Sequence, residues 1–101
     1  MKKRIKIPIY NQFVWVSDKM PEKYKWDYAA CFDFKTWTLY YQPEYMTVQR
    51  LCHECVHIAN QLCKRLLIDL DYDNDEAMAY LSEFLYERIH NIIFCKGANN
   101  E

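Results

Sequence analysis

Glycine is nearly absent: the 101-residue chain has one, close to its C-terminal end, and only three prolines. Disordered, collagenous and low-complexity classes need the opposite bias, so all three are excluded. No sign of charge dominates, because thirteen basic residues face fourteen acidic ones and leave a formal charge of -1. The basic field that holds phosphate backbones or anionic lipid is missing, and neither nucleic acid nor membrane is expected as a partner. No apolar run is long enough to cross a bilayer. Lys2, Lys3 and Arg4 resemble the start of a secretory leader, but Lys6 and Pro8 interrupt the apolar stretch that should follow. Five cysteines are an odd number for a disulfide-stapled secreted domain. A soluble, cytoplasmic protein with reduced thiols is the expectation.

What is abundant is apolar and aromatic surface. Hydrophobic residues make up 51% of the chain, and nine Tyr, five Phe and three Trp supply its rings. That is enough for one core in a single α+β domain, but not for a second independent lobe. Residues 1–42 read as a small antiparallel sheet. Ile5, Ile7 and Ile9 alternate with Lys6, Pro8 and Tyr10, the period of a half-buried strand, and Pro8 places that strand at an edge. Phe13 to Val16 is a second β-rich run, followed by a loop around Pro21. Tyr28 to Phe34 and Trp37 to Tyr41 form an expected hairpin whose turn lacks the usual Gly or Asn.

After Pro43 the period becomes helical. Residues 47–67 contain no Pro or Gly, Thr47 can serve as N-cap, and Leu51, Cys55, Ile58, Ala59, Leu62 and Leu66 recur at helical spacing. Residues 74–95 form a second expected helix, with Ala77, Met78, Leu81, Phe84, Leu85, Ile89 and Ile92 on one stripe. Asp73 or Asn74 would cap it, and the acidic residues of the link would stabilise its positive end.

His53-Glu54-Cys55-Val56-His57 is an HExxH motif in the middle of the first helix. Successive residues of an α-helix turn by about 100°, so His53 and His57 share a face one turn apart and can reach one cation. Glu54 projects from the flank of that face, where it can take a proton from a water whose pKa a zinc ion has lowered to about 7. A tetrahedral catalytic site needs a third protein ligand, and Glu76 at the start of the second helix is at a workable separation. His90 competes for that role, but it lies about 21 Å further along the same helix, so the two exclude each other.

These residues, with Asp75-Glu76-Ala77-Met78-Ala79-Tyr80, resemble the zincin metallopeptidases of the glutamate-ligand type, the gluzincins. More narrowly, the chain looks like the small HExxH peptidases encoded in phage genomes. Glu76 with Ala79 is also similar to the E-x-x-A signature of metallopeptidases that act on phage repressors. The resemblance covers roughly residues 37–86. It implies Zn2+ held by His53, His57 and Glu76, Glu54 as general base, and a peptide or protein substrate, cut in the host cytoplasm if the chain is phage-encoded. Many gluzincins carry an acidic residue four positions after the ligand Glu, where Tyr80 stands here. Larger members have a second lobe that donates a Tyr or His to the oxyanion. The short stretch after Glu76 leaves no room for one, and Tyr72 or Tyr80 would substitute.

Other patterns carry less chemistry. Cys52 and Cys55 have the spacing of a redox or zinc-knuckle motif, but helical geometry puts them with Ala59, Leu62 and Cys63 on the side away from the histidines, as core. Asp69, Asp71, Asp73 and Asp75 mimic a calcium loop, yet its sixth position is Asn74 and its twelfth is Tyr80, which breaks the pattern. If residues 37–41 are the strand beside the HExxH helix, its free edge could hold an extended peptide. The alternative to an enzyme is a zinc-stabilised, phage-type protein-binding factor.

Overall fold

The computed structural model describes residues 1–69 and 75–95. The chain is α+β, in the order β1 (Lys2–Ile7), β2 (Gln12–Ser17), α1 (Glu22–Lys25), β3 (Ala30–Asp33), β4 (Thr38–Tyr41), α2 (Val48–Arg65) and α3 (Glu76–Phe94). It divides into two compact units, Met1–Glu54 and Cys55–Glu101, and the dividing line falls inside α2.

In the first unit the four strands form one sheet ordered β1-β2-β4-β3. β1 pairs with β2 and β3 with β4, both antiparallel. β2 pairs with β4 in parallel, Val16 beside Leu39, so the sheet is mixed and not antiparallel throughout. The alternation in β1 decides its faces: Ile5 and Ile7 are fully buried, as are Val14, opposite Ile5, and Val16 on the neighbouring strand. Pro8 stops β1, an edge strand as expected, and Ile9 lies beyond it, exposed. On the other face Lys2 and Arg4 lie over the ring of Trp15, and Arg4 also over that of Phe13.

The hairpin turn has no glycine to offer, and Trp37 itself takes the left-handed conformation, φ 53°. That costs on the order of 1 kcal/mol for a bulky side chain. It is offset locally: Lys35 N–H donates to Asp33 Oδ1 at 2.9 Å, and the Trp37 carbonyl accepts from Trp15 N–H at 2.8 Å, carrying the chain into register beside β2.

Helix α2 starts and stops where its termini are satisfied. Thr47 Oγ1 accepts from Arg50 N–H at 3.2 Å, the N-cap bond expected of it. At the other end Ile68 N–H reaches the Cys63 carbonyl and Leu67 N–H the Lys64 carbonyl, with Leu67 at φ 59°. This is the Schellman arrangement, made here with a leucine where glycine is usual.

Within the second unit, Cys55, Ile58, Ala59, Leu62 and Cys63 of α2 and Leu81, Leu85, Ile89 and Ile93 of α3 are buried. The α3 stripe therefore runs at four-residue steps to Ile93; Ile92, expected on it, is only half-buried. Cys52 departs more clearly: it is exposed and not part of the core. Its position round the helix falls between those of buried Ala59 and Cys63, so the exposure comes from its place in the first turns of α2 and not from its face. None of the five cysteines forms a disulfide. The N-cap of α3 is Asp75, which makes no side-chain capping bond, while Asp73 and Asn74 lie outside the described residues. No helix among the described residues is long and apolar enough to cross a membrane.

Candidate metal centre and cleft

Glu54 is the one acidic or basic side chain of α2 that the fold buries, at 9% exposure, whereas His53 and His57 are exposed. One unbroken helix carries all three. Its geometry therefore keeps the imidazoles one turn apart and sets the carboxylate to the side, against the sheet unit. Burial pushes the Glu54 carboxyl above its ordinary value, and the neighbouring His53 opposes this only in part. A carboxyl raised in that way holds a proton more readily than an exposed one, which suits a group that must both accept and return it.

The first unit builds a cleft of about 720 Å³ around this group. One wall is the segment from Asp27 to Ala30 that leads into β3; the other is the N-terminal part of α2, with Gln49, Arg50, His53 and Glu54. Gln42 holds the first wall in place. Its Nε2 donates to the carbonyls of Lys25 at 3.0 Å and Tyr28 at 2.7 Å, and its N–H donates to the Ala29 carbonyl at 2.9 Å.

That last bond fixes which way the edge faces. Backbone groups alternate along an antiparallel ladder, so if Ala29 turns toward β4, Ala30 and Phe32 turn their N–H and C=O groups away from it. β3 is an edge strand, and Ala30 lines the cleft. The expected edge was residues 37–41. β4 instead is paired on both sides, with β2 and β3, and has no free edge. The strand beside the HExxH helix is β3, and Cys31 on it responds to the charge of Glu54.

The remaining expected site residues that the structure describes belong to the second unit. Glu76 is the first residue of α3 and is exposed. Tyr80 stacks on Phe84, centroids 6.1 Å apart. Tyr72 lies outside the described residues. His90 sits between the rings of Tyr86 and Phe94, with Nδ1 3.9 Å from Cys95 Sγ. Among the described residues no three or more His, Cys, Asp or Glu side chains form a group that could hold a metal ion. The fit to zinc therefore rests on the donor chemistry of the α2 pair, two imidazoles at helical spacing.

Arg50 and the segment from Asp27 to Ala30 were not singled out from the sequence. Arg50 was within reach, since it stands four residues before Glu54 and so on the same side of the helix. The other wall depends on strand order, which no local pattern carries. No protein-family model, curated protein or solved structure matches the chain.

Proposed function

We propose that the chain is a zinc-dependent metallopeptidase in which His53, His57 and Glu76 hold the ion and Glu54 is the general base. The observation that carries this reading is the HExxH helix itself, with Glu54 buried at a cleft that an edge strand borders. A bound zinc ion would supply Lewis acidity, polarising the scissile carbonyl and bringing a water to a pKa of about 7. The protein's own groups do the rest. The outward-facing amide and carbonyl of Ala30 align an extended substrate by main-chain hydrogen bonds. Glu54 takes a proton of the attacking water and delivers it to the departing amine nitrogen, so that the peptide bond breaks to a carboxyl group, which keeps the water's second proton until it ionises, and an amine. Burial of Glu54 favours its protonated form and so favours the delivery half of that cycle.

A second reading is a zinc-stabilised, phage-type protein-binding factor with little or no turnover. The exposure of Trp26, Tyr28 and Tyr45 favours it, since rings in solvent are characteristic of interaction surfaces. In both readings the partner is a peptide or protein. A reducing cytoplasm is the proposed setting, that of the host if the chain is phage-encoded, and the five cysteines without a disulfide support it.

Metal analysis of the purified protein tests the zinc assignment: one zinc per chain, lost in His57→Ala, is expected, and a folded protein that takes up no zinc would refute both readings. Enzyme and binder separate on a mixed peptide library. Cleavage by wild type that is abolished in Glu54→Gln supports hydrolysis, and equal cleavage by both removes Glu54 as the base.

A further inference from the structure

Beside the cleft at Glu54 lies a second one of about 460 Å³, and the two share Tyr28, Ala29 and Arg50. Both belong to the first unit. The second is walled by Trp26 and Tyr45, which are 92% and 59% exposed. Exposing two such rings beside one another costs hydrophobic free energy that burial elsewhere would recover, at about 25 cal/mol per Å² of apolar surface.

Their frame is fixed by hydrogen bonds. Arg50 Nη1 donates to the Tyr45 carbonyl at 3.1 Å, and Tyr45 N–H donates to the Gln42 carbonyl at 3.0 Å. Gln42 in turn holds Lys25 and Tyr28 on either side of Trp26. The arm is thus a tied wall carrying rings. Its charges, Lys25 and Arg50, are balanced by Glu44 and by Glu22, which pairs with Lys25 at 3.4 Å, so it is suited to an uncharged side chain.

We propose that this arm is a subsite for a large apolar side chain, aromatic or long aliphatic, of an extended polypeptide aligned on the β3 edge. The proposal rests on the cleft being a peptide site and deepens that reading by naming what the site selects. A polypeptide is the occupant because Ala30, next to the shared Ala29, offers an outward-facing amide and carbonyl on an edge strand, a donor and acceptor pair that an extended backbone matches. The distance follows from the helix. Arg50 precedes Glu54 by four residues, about 6 Å at 1.5 Å per residue. An extended peptide advances about 3.3 Å per residue, so the selected side chain lies about two residues from the bond beside Glu54.

The test measures binding apart from turnover. Zinc-loaded and chelator-treated Glu54→Gln protein is titrated with labelled nine-residue Gly/Ser peptides carrying Phe, Leu or Ala at the centre. Phe and Leu peptides are expected to bind about tenfold more tightly than the Ala peptide, the discrimination a hydrophobic pocket supplies. Trp26→Ala and Tyr45→Ala are each expected to bring that ratio below about threefold. Trp26 is almost wholly in solvent, so its replacement tests the arm without threatening the fold. Equal binding of the three peptides, or a ratio unmoved in both variants, would overturn the proposal. So would a concentration-dependent dimer abolished by the same substitutions, which would assign the arm to a second copy. Wild type that binds with the stated preference but cleaves nothing removes hydrolysis and keeps the subsite. Cleavage of Phe and Ala peptides with equal kcat/KM, unchanged in Trp26→Ala, removes the subsite and keeps hydrolysis.

Discussion

The carboxylate of Glu54 on α2 acts on the thiol of Cys31 on β3. Burial is the main cause that brings this thiol up to about 11, and Glu54 and then Asp33 add to it, against a smaller opposing effect of Lys23. The coupling ties the helix that carries the HExxH motif to the strand that borders its cleft.

Cys31 is therefore expected to be alkylated slowly at neutral pH, with a rate that climbs toward about pH 11, while exposed Cys52 is modified first. In Glu54→Gln the Cys31 midpoint is expected to move down, though by less than burial has moved it up. Peptide mapping after timed iodoacetamide treatment of metal-free protein measures both. A midpoint that stays in place would separate the two residues.

Tyr41 is fully buried, and its hydroxyl has no hydrogen-bond partner among the described residues. Leaving a hydroxyl unsatisfied costs about 1–3 kcal/mol, so Tyr41→Phe is expected to gain about 1 kcal/mol at pH 8 in urea unfolding. Burial, with a contribution from Asp18, raises the phenol from 10.0 to about 12. The folded state thus holds its proton longer than the unfolded state. This contribution to stability is full below pH 10 and is lost as pH rises through about 12. Over that window wild type is expected to lose stability faster than Tyr41→Phe, and parallel curves would refute the assignment.

Thr47→Ala removes the N-cap of α2 and is expected to cost about 1 kcal/mol. Because the capped N–H belongs to Arg50, the variant also loosens the frame of the aromatic arm. A loss below about 0.3 kcal/mol would show that another group satisfies the N-terminus.

Leu67→Gly addresses the other end. Leu67 stands at φ 59° and is 89% exposed, so its side chain contributes little packing against the left-handed strain. Glycine there is expected to raise stability by about 1 kcal/mol in thermal or urea unfolding. A destabilised variant would mean that the leucine packs in solution.

The parts of the fold that were readable from the residues are the parts determined locally. Thr47 and the long stretch without Pro or Gly marked α2, the alternation of Ile5 and Ile7 marked a strand, and Pro8 placed it at an edge. The hairpin of β3 and β4 was legible because its strands are adjacent in sequence. Strand order was not. The same alternation serves a strand with one neighbour or two, so nothing in Leu39 or Tyr41 signals that β2 lies alongside in parallel. From this single gap follow the misplaced edge and the missed wall at Tyr28 to Ala30. The short helix α1 went unseen because only four residues form it, with no buried side chain to set a period. In the site, HExxH was visible because its spacing is a property of one helix, while Arg50 gains its meaning only from the loop it ties down.

The parallel seam between β2 and β4 also orders events during folding. Two hairpins can zip from their own turns within microseconds, since their contacts are close in sequence. The seam cannot, because Trp15 must find Thr38 across the whole of α1 and β3. Closing that loop costs entropy before any contact rewards it. The slow step of this unit is then the side-by-side docking of two preformed hairpins, which completes the four-stranded sheet.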